Sequence, residues 1–455
     1  MATSCLAAPS HIFRNLFRLP APIRLKVFTS QAPRLIDHTI DEARLPFYKP
    51  EAYLPVHPGD KLDAKYEILT KIGYGSYSTV WLAKDITSKF WQPCRYVTLK
   101  IGVASDGHVD SNMSREREFN NRVAKSSTHA GRLHVRSPIA HFEISRSDGL
   151  KHPCVVYEPM KMTLLSLQSW FGGKMEPRVH VIVKVYLKAI LQALDYLHTE
   201  VGVAHLDLKA DNFLLSFAED ELPKVVDEYL ANKLPEDPSF RHVLHGRTVY
   251  GAHDCFDGWR IRETLAEMTL QITDFGQSQV LDDGGVHYVP AQPHQFRSPE
   301  VIMGTPLSFN ADIWNLGCLT WHLLEGEDLF GRIWEHDRKY DGRRHIGSMI
   351  ALLGPPPSDL LEREKYYRED FYPRKSPGFE PWTYWGGPYF DKEGHFKWPE
   401  LIPEKLDLTT MMASLEGEDK QMFLDMLRSM LQWDPNERAS AKELLDHPWL
   451  RVEDD

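Results

Sequence analysis

Val203-Ala-His205-Leu-Asp207-Leu-Lys209-Ala-Asp-Asn212-Phe-Leu-Leu215 sets polar groups at short intervals along an apolar run. Alone, that spacing is compatible with an ordinary polar loop. A second run changes the reading: Asp274-Phe275-Gly276, preceded by the strand-like Leu270-Gln-Ile272. Phosphoryl transfer needs a divalent cation on the phosphates, held by hard oxygen ligands, and Asp274 and Asn212 are of that type. It also needs a carboxylate to orient the attacking hydroxyl and take its proton, for which Asp207 is the candidate. Lys209 would stabilise charge on the transferred oxygens.

Upstream lies a complementary pattern. Tyr66–Ile72 and Thr79–Ala83 read as strands joined by Gly73-Tyr-Gly75-Ser-Tyr-Ser78-Thr-Val80, and Tyr96–Ile101 as a third strand. Glycines there let backbone amides approach phosphate oxygens without an intervening Cβ, although Gly-rich hairpins are also common structural turns. The run precedes a strand rather than a helix, which argues against a dinucleotide fold or a P-loop. Lys100 ends the third strand. Such a lysine usually snorkels outward, but it can instead meet nucleotide phosphates while a helix glutamate holds it. Glu116 and Glu118 are the candidates; Glu116 is preferred, because it places Phe119, Asn120 and Val123 on the following helical face.

The rest of the 455 residues sets the frame. The chain is 42% apolar and 26% charged, as in a globular protein with a sizeable core. Its 53 basic and 64 acidic residues give a net charge of −11, which argues against general binding to nucleic acid or anionic membranes. Five scattered cysteines exclude a disulfide scaffold and a zinc ribbon, and suit a reducing compartment. The most apolar stretch, Val179–Leu197, carries Lys184, Lys188 and Asp195, so no membrane span is expected. Helices are expected at Val179–Thr199, Ala311–Leu324, Lys420–Leu431 and Ala441–Asp446. Strands first and helices after predict an α+β fold, a small β-rich lobe followed by a larger helical one.

With these motifs in one order, the sequence resembles a eukaryotic protein kinase over residues 66–450. Ser298-Pro299-Glu300 is similar to the A-P-E motif and Asp312-Ile-Trp-Asn-Leu-Gly317 to the D-x-W-x-x-G motif. Arg438 stands where the family's late arginine pairs with the A-P-E glutamate. The resemblance implies a bilobal kinase fold (N-lobe 66–157, C-lobe 158–450), with ATP and Mg2+ as cofactors. It assigns Asp207 and Lys209 to catalysis and Asn212 and Asp274 to the metal. Ile72, Gly73, Gly75, Ser78, Val80, Lys100, Glu116, Glu158 and Met160 are assigned to the nucleotide. Tyr157 resembles the gatekeeper, followed by a hinge of Glu158, Pro159 and Met160. The proline removes a donor only at the hinge position that adenine does not use. Thr98 departs from the usual alanine, adding a hydroxyl near the expected adenine site. Lys209, two residues after Asp207, implies Ser/Thr specificity.

Residues 216–268 form an insertion where most kinases take about a dozen residues between these motifs. That position, with Gly75-Ser-Tyr-Ser78-Thr-Val-Trp81-Leu and Gln295-Phe-Arg297-Ser-Pro-Glu300-Val, resembles the serine/arginine-rich (SR) protein kinases of fungal type. The resemblance implies protein substrates, including Arg/Ser-rich splicing factors docked on an acidic groove, and a monomer without direct nucleic-acid binding. Glu325, Glu327, Asp328, Glu335, Asp337 and Asp341 form either that groove or a solvated face, and Arg343 and Arg344 would repel a basic substrate there. Leu206 replaces the arginine that receives an activation-loop phosphate in other kinases, so activity without loop phosphorylation is expected. The alternative from another class is a pseudokinase scaffold. Residues 1–45 read as a disordered tail and 46–65 as an extended Pro-rich lead-in. Residues 1–36 contain no Asp or Glu and carry an amphipathic start at Ile12, Phe13, Leu16 and Phe17. That composition fits a mitochondrial presequence or a tail without a signal, whereas the family resemblance implies cytoplasm and nucleus.

Overall fold

The computed structural model describes residues 40–45, 48–87, 95–104, 111–123, 127–175, 180–233, 241–244, 246–252, 256, 261–282, 284–335, 337, 339–404 and 406–451. The basic stretch 1–36 and Cys5, Cys94 and Cys255 lie outside them. Among the described residues no helix is long and apolar enough to cross a membrane. The chain forms two compact units, one of residues 1–125, 136–163 and 214–270, the other of 126–135, 164–213 and 271–455.

The first unit is built on a six-stranded sheet. Its strands are β1 (Lys61–Leu62), β2 (Tyr66–Gly75), β3 (Ser78–Asp85), β4 (Arg95–Gly102), β5 (Ala140–Ser145) and β6 (Lys151–Tyr157), in the order β1-β2-β3-β4-β6-β5. The helix α1 (Ser111–Val123) follows β4. Successive strand side chains point to opposite faces, so sequence neighbours enter different cores. Trp81 and Val97 join Ile68, Leu99 and Val156 on one side. Leu82 and Tyr96 join Val225, Val226, Tyr229 and Phe256 on the other.

Those last residues belong to the insertion, which packs as part of this unit. Its helix Glu221–Glu228 continues into a π turn at Tyr229–Lys233 and carries Leu222, Val225, Val226 and Tyr229 at i, i+3, i+4 and i+7, an apolar stripe. Polar ties fix it. Tyr96 donates to Asp227 Oδ1 at 2.6 Å, and buried Lys161 reaches Glu221 Oε1 at 2.6 Å and Thr264 Oγ1 at 2.9 Å.

The expectations of a disordered tail to residue 45 and of an extended lead-in are corrected only from residue 40 on, since residues 1–39 lie outside the described residues. Asp41–Arg44 forms a 3-10 turn, and Tyr53 and Val56 of the lead-in are buried. Lys71 of β2, only 1% exposed, donates to Glu42, to Asp41 Oδ2 at 3.0 Å and to Tyr250 O at 2.8 Å. Arg247, in the insertion hairpin Arg241–Leu244/Arg247–Tyr250, donates to Pro50 O and Tyr53 O. Composition read locally could not reveal this, because the counter-charges come from segments distant in sequence.

The second unit is helical. Its main helices are α2 (His180–Tyr196), α3 (Asn310–Glu325), α4 (Gly342–Leu353), α5 (Gly417–Met430) and α6 (Ala441–Leu445). α3 is buried nearly all round, as a central helix must be, and Gly317 admits Met430 and Leu431 against its backbone. α2 leaves through a π turn at Leu197–Val201 and stops at Gly202, whose φ of +71° suits glycine. Arg438 meets Glu300 through two bonds of 2.8 Å, both side chains out of water. Its guanidinium also donates to Asn310 O and Gln432 O at 2.9 Å.

Two stability outcomes follow from these buried charges. Deleting residues 1–45 strips Lys71 of both carboxylates and should cost about 3–5 kcal/mol, read as a lower thermal midpoint. Adding Lys71→Met to the deletion should recover part of the loss, since an apolar side chain needs no partner. Glu300→Ala leaves Arg438 buried and unpaired and should cost a similar amount, about 3–5 kcal/mol, measured by urea unfolding.

Candidate active site

The nucleotide candidates lie on the first unit. β2 and β3 pair Gly73 with Val80 and Gly75 with Ser78, and β4 sets Lys100 opposite Val80. A Cβ on Gly75 would meet nothing in the protein closer than Ser78 Oγ at 3.8 Å. Packing therefore does not demand glycine there, and the bare backbone is available to a ligand. Tyr53 donates to Ser76 O at 2.9 Å and Gly75 O at 3.3 Å, bracing the turn from the lead-in. Half-buried Ile72 packs against the insertion's cluster.

Lys100 Nζ lies 2.8 Å from Glu116 Oε2, so Glu116 of α1 is the partner. Glu118 instead faces Arg122 at 3.7 Å. Tyr157 donates to the other Glu116 oxygen at 2.9 Å. At the hinge, the Glu158 side chain pairs with Arg95 at 2.7 Å, its carbonyl accepts from Arg136 Nη2 at 3.0 Å, and Met160 is half-buried. Burial, partly opposed by Tyr157 and Glu116, lowers the Arg136 pKa to about 10, which leaves it charged at neutral pH. Thr98 Oγ1 is buried without a hydrogen-bond partner.

The catalytic candidates lie on the second unit, in a loop held from α3. Asp312, fully buried, accepts from the amides of His205 and Leu206 at 2.8 Å each and from the His198 ring at 3.0 Å. Those bonds fix Leu206 at a φ of +63°, costly for a branched side chain. Asn315 accepts from Leu208 N at 3.2 Å and donates to Leu208 O at 2.7 Å, fixing the next turn. His205 Nε2 donates to Thr273 O at 3.0 Å, which leaves Nδ1 to accept from Asp207 N at 3.2 Å.

Asp207, Lys209 and Asn212 come together. Lys209 Nζ is 3.0 Å from Asp207 Oδ2, and Asn212 Nδ2 donates to Asp207 O at 2.8 Å and Oδ2 at 2.9 Å. With its amide hydrogens so engaged, Asn212 has its oxygen as the remaining donor atom for a hard cation. Asp274 adopts a left-handed backbone, φ +64°, at the head of Phe275–Gln277. Burial raises the Asp207 pKa above the usual 3.8, although Lys209 pulls the other way. Desolvation would lower Lys209, but Asp207, Asp274 and Asp211 outweigh it and leave it raised.

The described residues after Gly276 are held by hydrogen bonds and ring contacts. Leu206 is buried, Ser278 Oγ donates to Phe275 O at 2.7 Å, and Tyr288 donates to Val301 O at 2.9 Å. Gln292 bridges Ala311 O and Ser298 N, at 2.9 and 2.8 Å. Arg297 donates to Ala291 O and Gln292 O at 3.0 Å while lying 3.7 Å over Trp385 and 4.6 Å over Tyr340.

The acidic face is largely spent internally. Glu325 accepts from the amides of Ala413 and Ser414, and Asp328 meets His322 at 2.9 Å. Arg343 engages Asp341 at 2.9 Å and Glu335 at 3.1 Å, Arg344 approaches Asp341 at 3.6 Å, and Asp337 accepts from Lys339 N at 3.1 Å.

The profile described as protein kinase domain matches residues 66–255 and 262–450. The chain belongs to the protein kinase family. A serine/threonine protein kinase of Aspergillus fumigatus is 34% identical over 97% of this chain and 99% of its own. The serine/threonine-protein kinase SRPK of Physarum polycephalum is 27% identical over 89% and 90%, and protein kinase dsk1 of Schizosaccharomyces pombe 25% over 88% and 83%. A crystallised kinase domain superposes with a TM-score of 0.59 at 20% identity, covering 88% of this chain and 99% of that one, a likeness of fold. This kinase is a serine/threonine kinase by its relatives, and the SR-protein-kinase resemblance stands with them.

Asn315, Gln292, Arg136 and Tyr53 escaped the sequence reading. Asn315 alone had a local signal, a polar side chain one turn from Asp312 between the apolar Trp314 and Leu316.

At neutral pH the raised Asp207 pKa counts against the fold, because the ionised carboxylate is held in a buried site. Asp207→Asn should therefore abolish phosphoryl transfer without lowering the thermal midpoint. The acid limb of the wild-type rate profile should lie above pH 3.8, activity falling as pH drops through the raised value.

Proposed function

We propose that this kinase transfers the γ-phosphoryl group of ATP to serine or threonine hydroxyls of proteins and is active without phosphorylation of its own loop. The observation that carries this is the Asp207–Lys209–Asn212 cluster, all within hydrogen-bond reach on a braced loop. Asp207 orients the substrate hydroxyl and accepts its proton, and Lys209 neutralises charge on the phosphoryl oxygens. Lys100, held by Glu116, positions the ATP phosphates beside the Gly73–Gly75 turn.

The donor chemistry suits Mg2+, since Asn212 and Asp274 offer oxygens and no sulfur or imidazole. The cation supplies charge neutralisation across the phosphates. The scaffold alternative has no observation in its favour: none of Lys100, Asp207, Asn212 and Asp274 is replaced.

Arg/Ser-rich splicing factors are the substrates that the SR-kinase resemblance suggests. Against dedicated Arg/Ser docking stand Arg343 and Arg344, which lie among the acids that would receive arginine. We therefore expect a substrate range that does not depend on such docking.

The test is radiolabelled transfer from ATP–Mg2+ to an Arg/Ser-repeat peptide and to a generic basic protein, beside Asp207→Asn. Transfer to both, lost in the variant and retained after phosphatase treatment of the enzyme, is the expected result. A strong preference for the Arg/Ser peptide would overturn the substrate reading. Loss of activity on phosphatase treatment would overturn constitutive activity. No transfer above the variant would overturn the kinase reading in favour of a scaffold.

A further inference from the structure

A gatekeeper side chain is ordinarily a wall of the adenine pocket, and a leucine or phenylalanine serves for that. Tyr157 is 4% exposed, yet its hydroxyl is not idle. It donates to Glu116 Oε1 at 2.9 Å, while Lys100 holds Oε2 at 2.8 Å. Burial first, then the Glu116 carboxylate, raises the Tyr157 pKa, so the hydroxyl remains a donor throughout the working pH range. The other side of the ring is engaged as well. The Arg136 guanidinium carbon lies 4.4 Å from its centroid, and Arg136 Nη2 donates to the Glu158 carbonyl at 3.0 Å.

A carboxylate tied to a lysine through one oxygen can still rotate about its terminal torsion, which is broad and soft. A second bond to the other oxygen removes that freedom, and at a buried carboxylate a bond from a neutral donor is strong. We propose that Tyr157 is the positioning residue for the Lys100–Glu116 pair, and that through Arg136 it ties the phosphate-binding lysine to the hinge carbonyl. The order Lys100, Glu116, Tyr157, Arg136, Glu158 is then one continuous set of contacts within the first unit. This gives the gatekeeper a part in placing the phosphates, beyond shaping a pocket for the base. The inference rests on the kinase reading above.

Tyr157→Phe is the decisive variant, because it keeps the ring and its Arg136 contact and removes only the hydroxyl. KM for ATP should rise about tenfold, the scale of a lost hydrogen bond to a charged group, with KM for the protein substrate unchanged and the thermal midpoint lowered by the buried acceptor left without its donor. Partial unfolding would lower the active fraction and leave KM for ATP where it was, so the two causes separate. Because Tyr157 acts through Glu116, adding the change to Glu116→Gln should cost nothing further in KM for ATP. A Tyr157→Phe enzyme with wild-type KM for ATP, or one whose effect adds fully to that of Glu116→Gln, would overturn the proposal. Calorimetric affinity for Mg-ATP reports on it independently of turnover. If wild type binds Mg-ATP but transfers nothing, the kinase reading fails, while a weaker affinity in Tyr157→Phe still supports this one.

Discussion

Asp312 carries a buried carboxylate whose acceptor capacity is spent on the backbone it faces. By taking the amides of His205 and Leu206 together, it holds a non-glycine residue in the left-handed region and so sets the direction in which Asp207 leaves the chain. The His198 ring on one carboxylate oxygen completes the arrangement. Everything chemical in the second unit hangs from this contact: the His205 tautomer, the Asn212 bonds to Asp207, and the Lys209 pairing all require that loop path. A neutral side chain at 312 would leave buried amides without a strong acceptor, which is costly.

The first unit uses the same device with the opposite sign of charge. Lys71 is a buried cation, and the groups that satisfy it come from the N-terminal turn and from the insertion hairpin. Segments that resemble appendages in the sequence thereby become parts of one fold. The insertion completes the arrangement by covering the second face of the sheet with the stripe of its helix. Without it, Leu82 and Tyr96 would be apolar groups on an open sheet face.

Charge use also separates this kinase from the picture its resemblance suggests. Acids in the expected docking stretch cap a loop, meet a histidine or pair with Arg343. A carboxylate already bonded at close range offers less to an incoming guanidinium than a solvated one would. The loop ahead of Ser298 is likewise held by Gln292 and by an arginine lying on aromatic faces.

How far the sequence went can be followed residue by residue. The strand pattern around Gly73 and Gly75, the helices near His180 and Asn310, and the candidates Lys100, Glu116, Asp207, Lys209, Asn212 and Asp274 were legible because short-range periodicity and fixed spacing encode them. The helix of residues 221–228 carried a readable apolar stripe, but the face it covers did not appear in the sequence. The roles of Asp312 and Asn315, the counter-charges of Lys71 and the second contact of Tyr157 were decided only in three dimensions. Each joins groups far apart in the chain, and a buried charge or hydroxyl is satisfied by whatever the fold brings within about 3 Å, a distance no local pattern records. The sequence by itself determined which elements form and which chemistry they carry; tertiary structure decided the partners, because hydrogen bonds and ion pairs depend on separation in space.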